Sequence, residues 1–501
     1  MSCVRGSLLV VALWSAIYLT RLGTLEIKGE EGRRILPAVT MLRSGNLIVP
    51  YVGSDPYFNK PPLVNWLVAG SFQLFGVRNE WAARLPSALC VLAVAIAFVT
   101  VARRALGPTG SVIGALVWLT NFGMIEKGRL IEIEALYTSL CGLAVICWLS
   151  WWHDGRSKWL TWFVPWLFLG LCLLAKGPLH LLFFYAVVVG VLYQAGELRK
   201  LLNSAHLLGV VLMLGIFAAW AVPCLQMMRE GNVTGVWTRQ FSGRLSGEDF
   251  KLGGWLLNIP RGIGYFLPWA AVFVLAMRGD GKSKHRTSNI EHRTPNAAAG
   301  PTSMFDVRCS VFDVSHGLLW GIIVSFLFVS LLPGSLARYT MPLLAPASWL
   351  MAVILTDRRF QLPGWLTPRR PAALAPELRF PVVVAVAACV VIALYALAVM
   401  PRLRGREKVR NIAAQINAAI PAGETLYAID PEYQPSLFYV RDPIIYAPGL
   451  TSVPGDARFI LVQNKTEAEA ANSRQWAPRQ ARPILKTKDY RKKELALLEV
   501  N

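Results

Sequence analysis

Apolar runs of roughly 17–20 residues with few charges recur along the first 400 residues of this chain. That is the length an α-helix needs to cross the hydrocarbon core of a bilayer. In lipid such runs must be helical, because only a helix satisfies its own backbone hydrogen bonds there. Composition agrees: 54% of the 501 residues are hydrophobic and 16% are charged, against roughly 45–50% and 25% in soluble domains. The pattern predicts an all-α polytopic membrane protein with eleven spans, at about 6–22, 82–102, 108–125, 134–152, 159–174, 178–195, 206–223, 262–278, 316–333, 338–356 and 380–400. The stretch 63–77 is broken by Asn65 and Gln73 and follows Pro61-Pro62, so it reads as an interfacial or re-entrant helix. The first run lacks a small-x-small site before Arg21 and is expected to be a retained span, not a cleaved signal.

The net charge of +21 lies mainly between apolar runs, which points to membrane surfaces and away from nucleic acid. An odd span count places the termini on opposite sides. The loops at 103–107, 153–158, 196–205, 279–315 and 357–379 then share the side of the N-terminus, with 279–315 a polar cytoplasmic linker. The opposite side is also basic: residues 24–81 carry Arg33, Arg34, Arg43, Lys60 and Arg78. The eight cysteines show no CxxC pair and the six histidines no HExxH, so neither a disulfide framework nor a catalytic zinc is expected. A divalent metal stays open as a cofactor. After Pro401, an amphipathic piece at 407–419 and short apolar runs at Thr425–Ile429, Ser436–Val440 and Arg458–Val462 predict a small soluble α/β domain over 401–501. Residues 1–400 form the transmembrane domain.

The loop at 24–81 is the place to look for chemistry. Glu30 and Glu31 stand just outside a span and are followed by Arg33 and Arg34. A carboxylate there can take a proton from an acceptor hydroxyl while cations neutralise a leaving phosphate. The competing reading is two first-turn acids favoured by a helix dipole. A second acidic cluster, Lys127-Gly-Arg-Leu-Ile-Glu132-Ile-Glu134, lies on the same side. Two residues apart on a helix, Glu132 and Glu134 would point about 200° away from each other, so only one is expected to face a shared cleft. Carboxylates at the edge of a span are costly and usually functional. Lys176 in a Lys-Gly-Pro turn, Arg239 and Arg244, and Arg338-Tyr339 add cations on the same face.

These residues carry a resemblance. After the first span the chain reads Glu30-Glu31-Gly32-Arg33-Arg34, then Ser44-Gly45-Asn46-Leu47-Ile48-Val49-Pro50, Tyr57-Phe58-Asn59-Lys60-Pro61 and Leu74-Phe75-Gly76. The order and spacing resemble GT-C class membrane glycosyltransferases of the aminoarabinose (lipid A) transferase and protein mannosyltransferase type. Those enzymes carry Asp-Glu-x-Arg-Tyr, Ser-Gly-Asp-Trp-(Ile/Leu)-Val-Pro and Tyr-Phe-Glu-Lys-Pro in the same places. The resemblance covers about residues 1–350. It implies a helical bundle with a periplasmic loop over a cleft, a polyprenyl-phosphate sugar donor, inverting transfer, and a lipid, glycan or protein acceptor.

By the same resemblance Glu30 takes the place of the family's catalytic Asp and Lys60 that of a lysine on the donor phosphate. Glu134 falls on a second family Asp, while Lys176, Arg244 and Tyr339 match later elements. With Glu31, Arg33 and Arg338 from the charge pattern, the expected set is Glu30 and Glu134 as catalytic residues and Glu31, Arg33, Lys60, Lys176, Arg244, Arg338 and Tyr339 on substrate. The chain departs from the family in having Glu30 for Asp, Arg34 for Tyr and Asn59 for Glu. Two other classes stand beside the enzyme: a transporter of lipid-linked sugars, which predicts charges buried mid-span or paired broken helices, and a non-catalytic membrane scaffold acting through its C-terminal domain.

Overall fold

The computed structural model describes residues 3–228, 233–246, 250–279, 311–357, 374–429, 434–488 and 493–501. Most of the expected 279–315 linker and of the 357–379 loop lies outside them. Helices stand at every predicted span, and six in the described residues are long and apolar enough to cross a membrane: Glu80–Thr100, Ile133–His153, Lys158–Ala175, Ser204–Met227, Ala337–Thr356 and Pro376–Arg404.

Burial sorts these helices. The apolar stretch of Ile133–His153 is 94% buried and runs through the centre, whereas that of Pro376–Arg404 is 17% buried and presents Val386, Val391 and Leu394 outward. Exposed aliphatic side chains along a whole helix face are the surface expected toward lipid. Polar side chains set where helices start. Asn79 caps Glu80–Thr100 by accepting from the Ala82 amide at 2.9 Å, and Asn203 caps Ser204–Met227 through the His206 amide at 2.9 Å.

The predicted span 262–278 is divided into Asn258–Tyr265 and Trp269–Gly279. Pro268 has no amide to continue the ladder, and at the break the Leu267 carbonyl accepts from the Phe122 amide at 2.9 Å. Leu63–Phe75 is a helix of 13 residues, about 20 Å long and too short to span. It packs between the first-loop helix Gly32–Ser44 and Glu80–Thr100.

The helices His180–Gln194 and Val311–Leu331 cross at backbone contact along Ala186–Gly190 and Gly317–Gly321. A Cβ on Gly317 would stand 2.2 Å from the Gly190 carbonyl oxygen, and one on Gly321 2.4 Å from that of Ala186. Small residues four apart allow this approach in membranes.

The C-terminal region forms a five-stranded sheet in the order Ile444–Ala447, Leu426–Ile429, Phe459–Gln463, Glu494–Val500, Ala481–Lys488; the first three strands are parallel and the rest antiparallel. Phe459, Leu461, Leu495 and Leu497 share one core with the helix Val409–Ala419, the first loop and the near end of the bundle. Ile460, Val462 and Leu498 pack with Trp476 on the other face. Cover on both faces explains the unbroken apolar run Phe459–Val462. Ser436–Val440, expected as a strand, is instead a tight turn starting at Pro435. Phe438 stacks on Phe72 at 6.3 Å, so contact with the first loop overrides the strand-like composition.

Candidate active site

The first loop is folded by its own backbone contacts. Ser44-Gly45-Asn46 ends the helix Gly32–Ser44: Gly45 adopts φ 72°, and Asn46 Oδ1 accepts from the amides of Ile48 and Val49 at 3.0 and 3.1 Å. Tryptophan indoles hold the segment that follows. Trp66 donates to Leu47 O, Trp220 to Ile48 O and Trp237 to Phe58 O, at 2.7, 2.9 and 3.1 Å. This part of the motif therefore shapes the loop.

Glu30 and Glu31, on a short 3-10 turn (Gly29–Glu31), have opposite surroundings. Glu31 is buried, and Arg84 meets both its oxygens at 2.8 Å. Arg84 also donates to the carbonyls of Leu22, Leu25 and Glu26, so the pair fixes the path of the loop. Glu30 is about one-third exposed, with Arg33 at 3.4 Å and Arg34 at 3.9 Å. Arg34 is buried, donates to the Tyr57 hydroxyl at 3.1 Å, and has its own carbonyl held by Asn65 at 2.7 Å.

Glu134 comes to the same place from the head of the central helix. It is buried and pairs with Lys176 at 3.3 Å and Arg338 at 3.2 Å. Arg34 lies within electrostatic reach of Glu134, as does Arg338 of Glu30, so the two carboxylates belong to one cluster. Lys176 lies 4.3 Å from the centre of the Tyr339 ring. The turn carrying it is built on Gly177 (φ 130°), whose carbonyl accepts from Tyr137 at 3.3 Å and His180 Nδ1 at 2.9 Å. Glu132 precedes the helix and pairs with Lys127 at 3.1 Å, and Lys127 with Glu126 at 2.9 Å. Burial raises the Glu132 carboxyl above its ordinary range, and Lys127 offsets only part of that. Burial alone would lower the Lys127 ammonium, but Glu132 and Glu126 hold it above its usual value.

Glu30, Arg33, Glu134, Lys176, Arg338 and Tyr339 are thus gathered at one end of the bundle. Lys60 is half-buried in the loop three residues after Tyr57. Glu31 turns away to Arg84, and the Arg244 side chain lies outside the described residues. Residue reasoning passed over Arg84, and it named Arg34, Asn65 and Tyr57 without placing them in the site. Arg84 had a signal, as a lone cation near the head of an apolar run. No group of three or more potential metal ligands is found among the described residues.

Glu30 and Glu134 face four cations (Arg33, Arg34, Lys176, Arg338), and even with Glu132 within electrostatic reach of Arg338 positive charge stays in surplus, which suits a phosphate. Within the bundle lies an apolar cavity of about 320 Å³, lined by Ile263, Phe266, Phe273, Ile322, Phe326 and Leu343, and by Thr340, which follows Tyr339 in the chain.

Residues 59–222 match the family described as dolichyl-phosphate-mannose-protein mannosyltransferase. An undecaprenyl phosphate-α-4-amino-4-deoxy-L-arabinose arabinosyl transferase of Pseudomonas fluorescens is 24% identical over 322 residues, covering 64% of this chain and 53% of that protein. One from Proteus mirabilis is 24% identical over 365 residues, covering 71% and 61%. The matched stretch thus spans little more than half the length of these relatives. In structure, the chain is similar to ArnT from Cupriavidus metallidurans bound to undecaprenyl phosphate, with a TM-score of 0.65 at 18% identity over 99% of this chain and 97% of that one. The apo form of the same protein gives 0.64 at 19% identity. The two share a fold.

Proposed function

We propose that this chain is an inverting glycosyltransferase that moves a sugar from a polyprenyl-phosphate donor to a lipid, glycan or protein acceptor. The reaction takes place at the periplasmic face of the bacterial inner membrane, with loop 24–81 and the domain 401–501 on that side and 279–315 in the cytoplasm. The observation that carries this reading is a part-exposed carboxylate, Glu30, in a cluster where cations outnumber carboxylates. The relatives' names, which specify undecaprenyl-phosphate-linked aminoarabinose, support the donor class.

The acceptor hydroxyl or amine attacks the anomeric carbon from the face opposite the phosphate and gives its proton to Glu30. The bond from carbon to phosphate oxygen breaks, and its electron pair goes to the phosphate. Arg34, Lys176, Arg338 and Lys60 offset the charge that develops there. Glu134 holds Lys176 and Arg338 in place. Glu30→Gln keeps the shape of the side chain but removes the base, so transfer from a labelled polyprenyl-phosphate sugar falls by about 10²–10⁴-fold. Transfer at the wild-type rate in that variant removes Glu30 from the mechanism. Donor that crosses proteoliposome membranes without forming product makes the chain a transporter.

A further inference from the structure

The C-terminal domain reaches the first loop at the residues on either side of Glu30. The Glu26 carboxylate caps the helix Val409–Ala419, accepting from the amides of Lys408, Val409 and Arg410 at 3.3, 2.8 and 3.1 Å. These are helix-start donors with no partner of their own. The Ile27 amide donates to the Tyr439 hydroxyl at 2.6 Å, and that hydroxyl donates to Glu80 at 2.8 Å. Arg410 closes the ring, with Nε 3.2 Å from Glu80 and Nη1 3.4 Å from the Thr24 carbonyl. Beyond Glu30, a Cβ on Gly32 would stand 3.0 Å from Pro435, so the domain rests directly on the loop backbone.

Simple docking of an accessory domain would need none of this at the loop backbone. Here the contacts fall on Thr24, Glu26, Ile27 and Gly32, while Arg84 holds Glu31 from the bundle side. The segment is gripped from both sides, and Glu30 projects from it. Burial and the neighbouring Glu80 raise the Tyr439 hydroxyl above its usual range, so it stays a donor at neutral pH.

We infer that the C-terminal domain is a clamp on the catalytic loop, and that Tyr439 is a positioning residue which acts on Glu30 through the Ile27 amide. This rests on the reading of Glu30 as the base, so its test carries a readout independent of transfer. Tyr439→Phe keeps the ring and removes both hydroxyl bonds; Glu80→Gln, which loosens the same ring, is the second variant. In the full-length protein, amide hydrogen exchange at residues 27–33 is expected to rise about tenfold in each variant, with exchange in the bundle helices unchanged. In the transfer assay kcat falls about tenfold while the donor KM stays within about twofold. Unchanged exchange at 27–33 overturns the clamp, as does a fall in overall thermal stability with no local rise in exchange. A wild-type protein without transfer activity overturns the reading of Glu30, and exchange alone then decides the clamp.

Discussion

Both oxygens of Glu31 are held by Arg84, whereas Glu30 has only looser contacts to Arg33 and Arg34 and keeps about a third of its surface exposed. The charge pattern alone left the two acids alike, and only the positional resemblance put Glu30 forward as the catalytic one. What separates them is a cation 53 residues away in the chain, which spacing does not report. Glu132 and Glu134 were expected to part company around a helix. Instead Glu132 precedes the helix, and each acid finds its own lysine, Lys127 and Lys176. The raised Glu132 carboxyl gives a pH test. Below about 4.3, the ordinary glutamate value, Glu132 is neutral in folded and unfolded chains alike. As the pH rises through its higher folded value, the buried group ionises and stability drops. Glu132→Gln should therefore flatten the fall in thermal midpoint from pH 4 to 8 in detergent, with Glu126 still holding Lys127. An unchanged slope would assign the effect elsewhere.

At the level of helices, hydropathy placed a helix at each predicted span, six of them in the described residues long and apolar enough to cross a membrane, because the bilayer imposes one length and one composition. It said less about how helices meet. The crossing along Ala186–Gly190 and Gly317–Gly321 rests on small residues four apart that hydropathy passes over, and pairing them needed the fold. Gly321→Leu forces a side chain into the facing backbone and should cost about 1–3 kcal/mol, read as a lower unfolding midpoint in micelles. The same change at Gly215, which faces open space, should be near neutral. Composition misled at Ser436–Val440, where β-like residues form a turn. Their apolar side chains are buried against another element, and a residue's type does not say which one.

Over the whole molecule, hydropathy separated a bundle from a C-terminal unit, and the parity of spans put that unit on the side of the first loop. In the structure the unit touches the first loop directly, where Ile27 meets Tyr439 and Glu26 meets Val409. What the chain did not disclose is that the two regions share a single apolar core. Patterning identifies which residues want burial within a segment, and a joint core is a property of two segments at once.

That shared core bears on the order in which the protein is made. Ile27 and Tyr439 are 412 positions apart, so the loop holding Glu30 leaves the ribosome long before its fastening does. Throughout synthesis and insertion the bundle can assemble while the reactive acid stays on a loose tether, since contacts between distant parts of a chain form late. A nascent chain halted at Arg404 should accordingly be inserted yet open to trypsin at Lys28 and Arg33, and protection there should appear only after residue 439 has emerged. Equal protection at both lengths would mean that the bundle alone secures the loop.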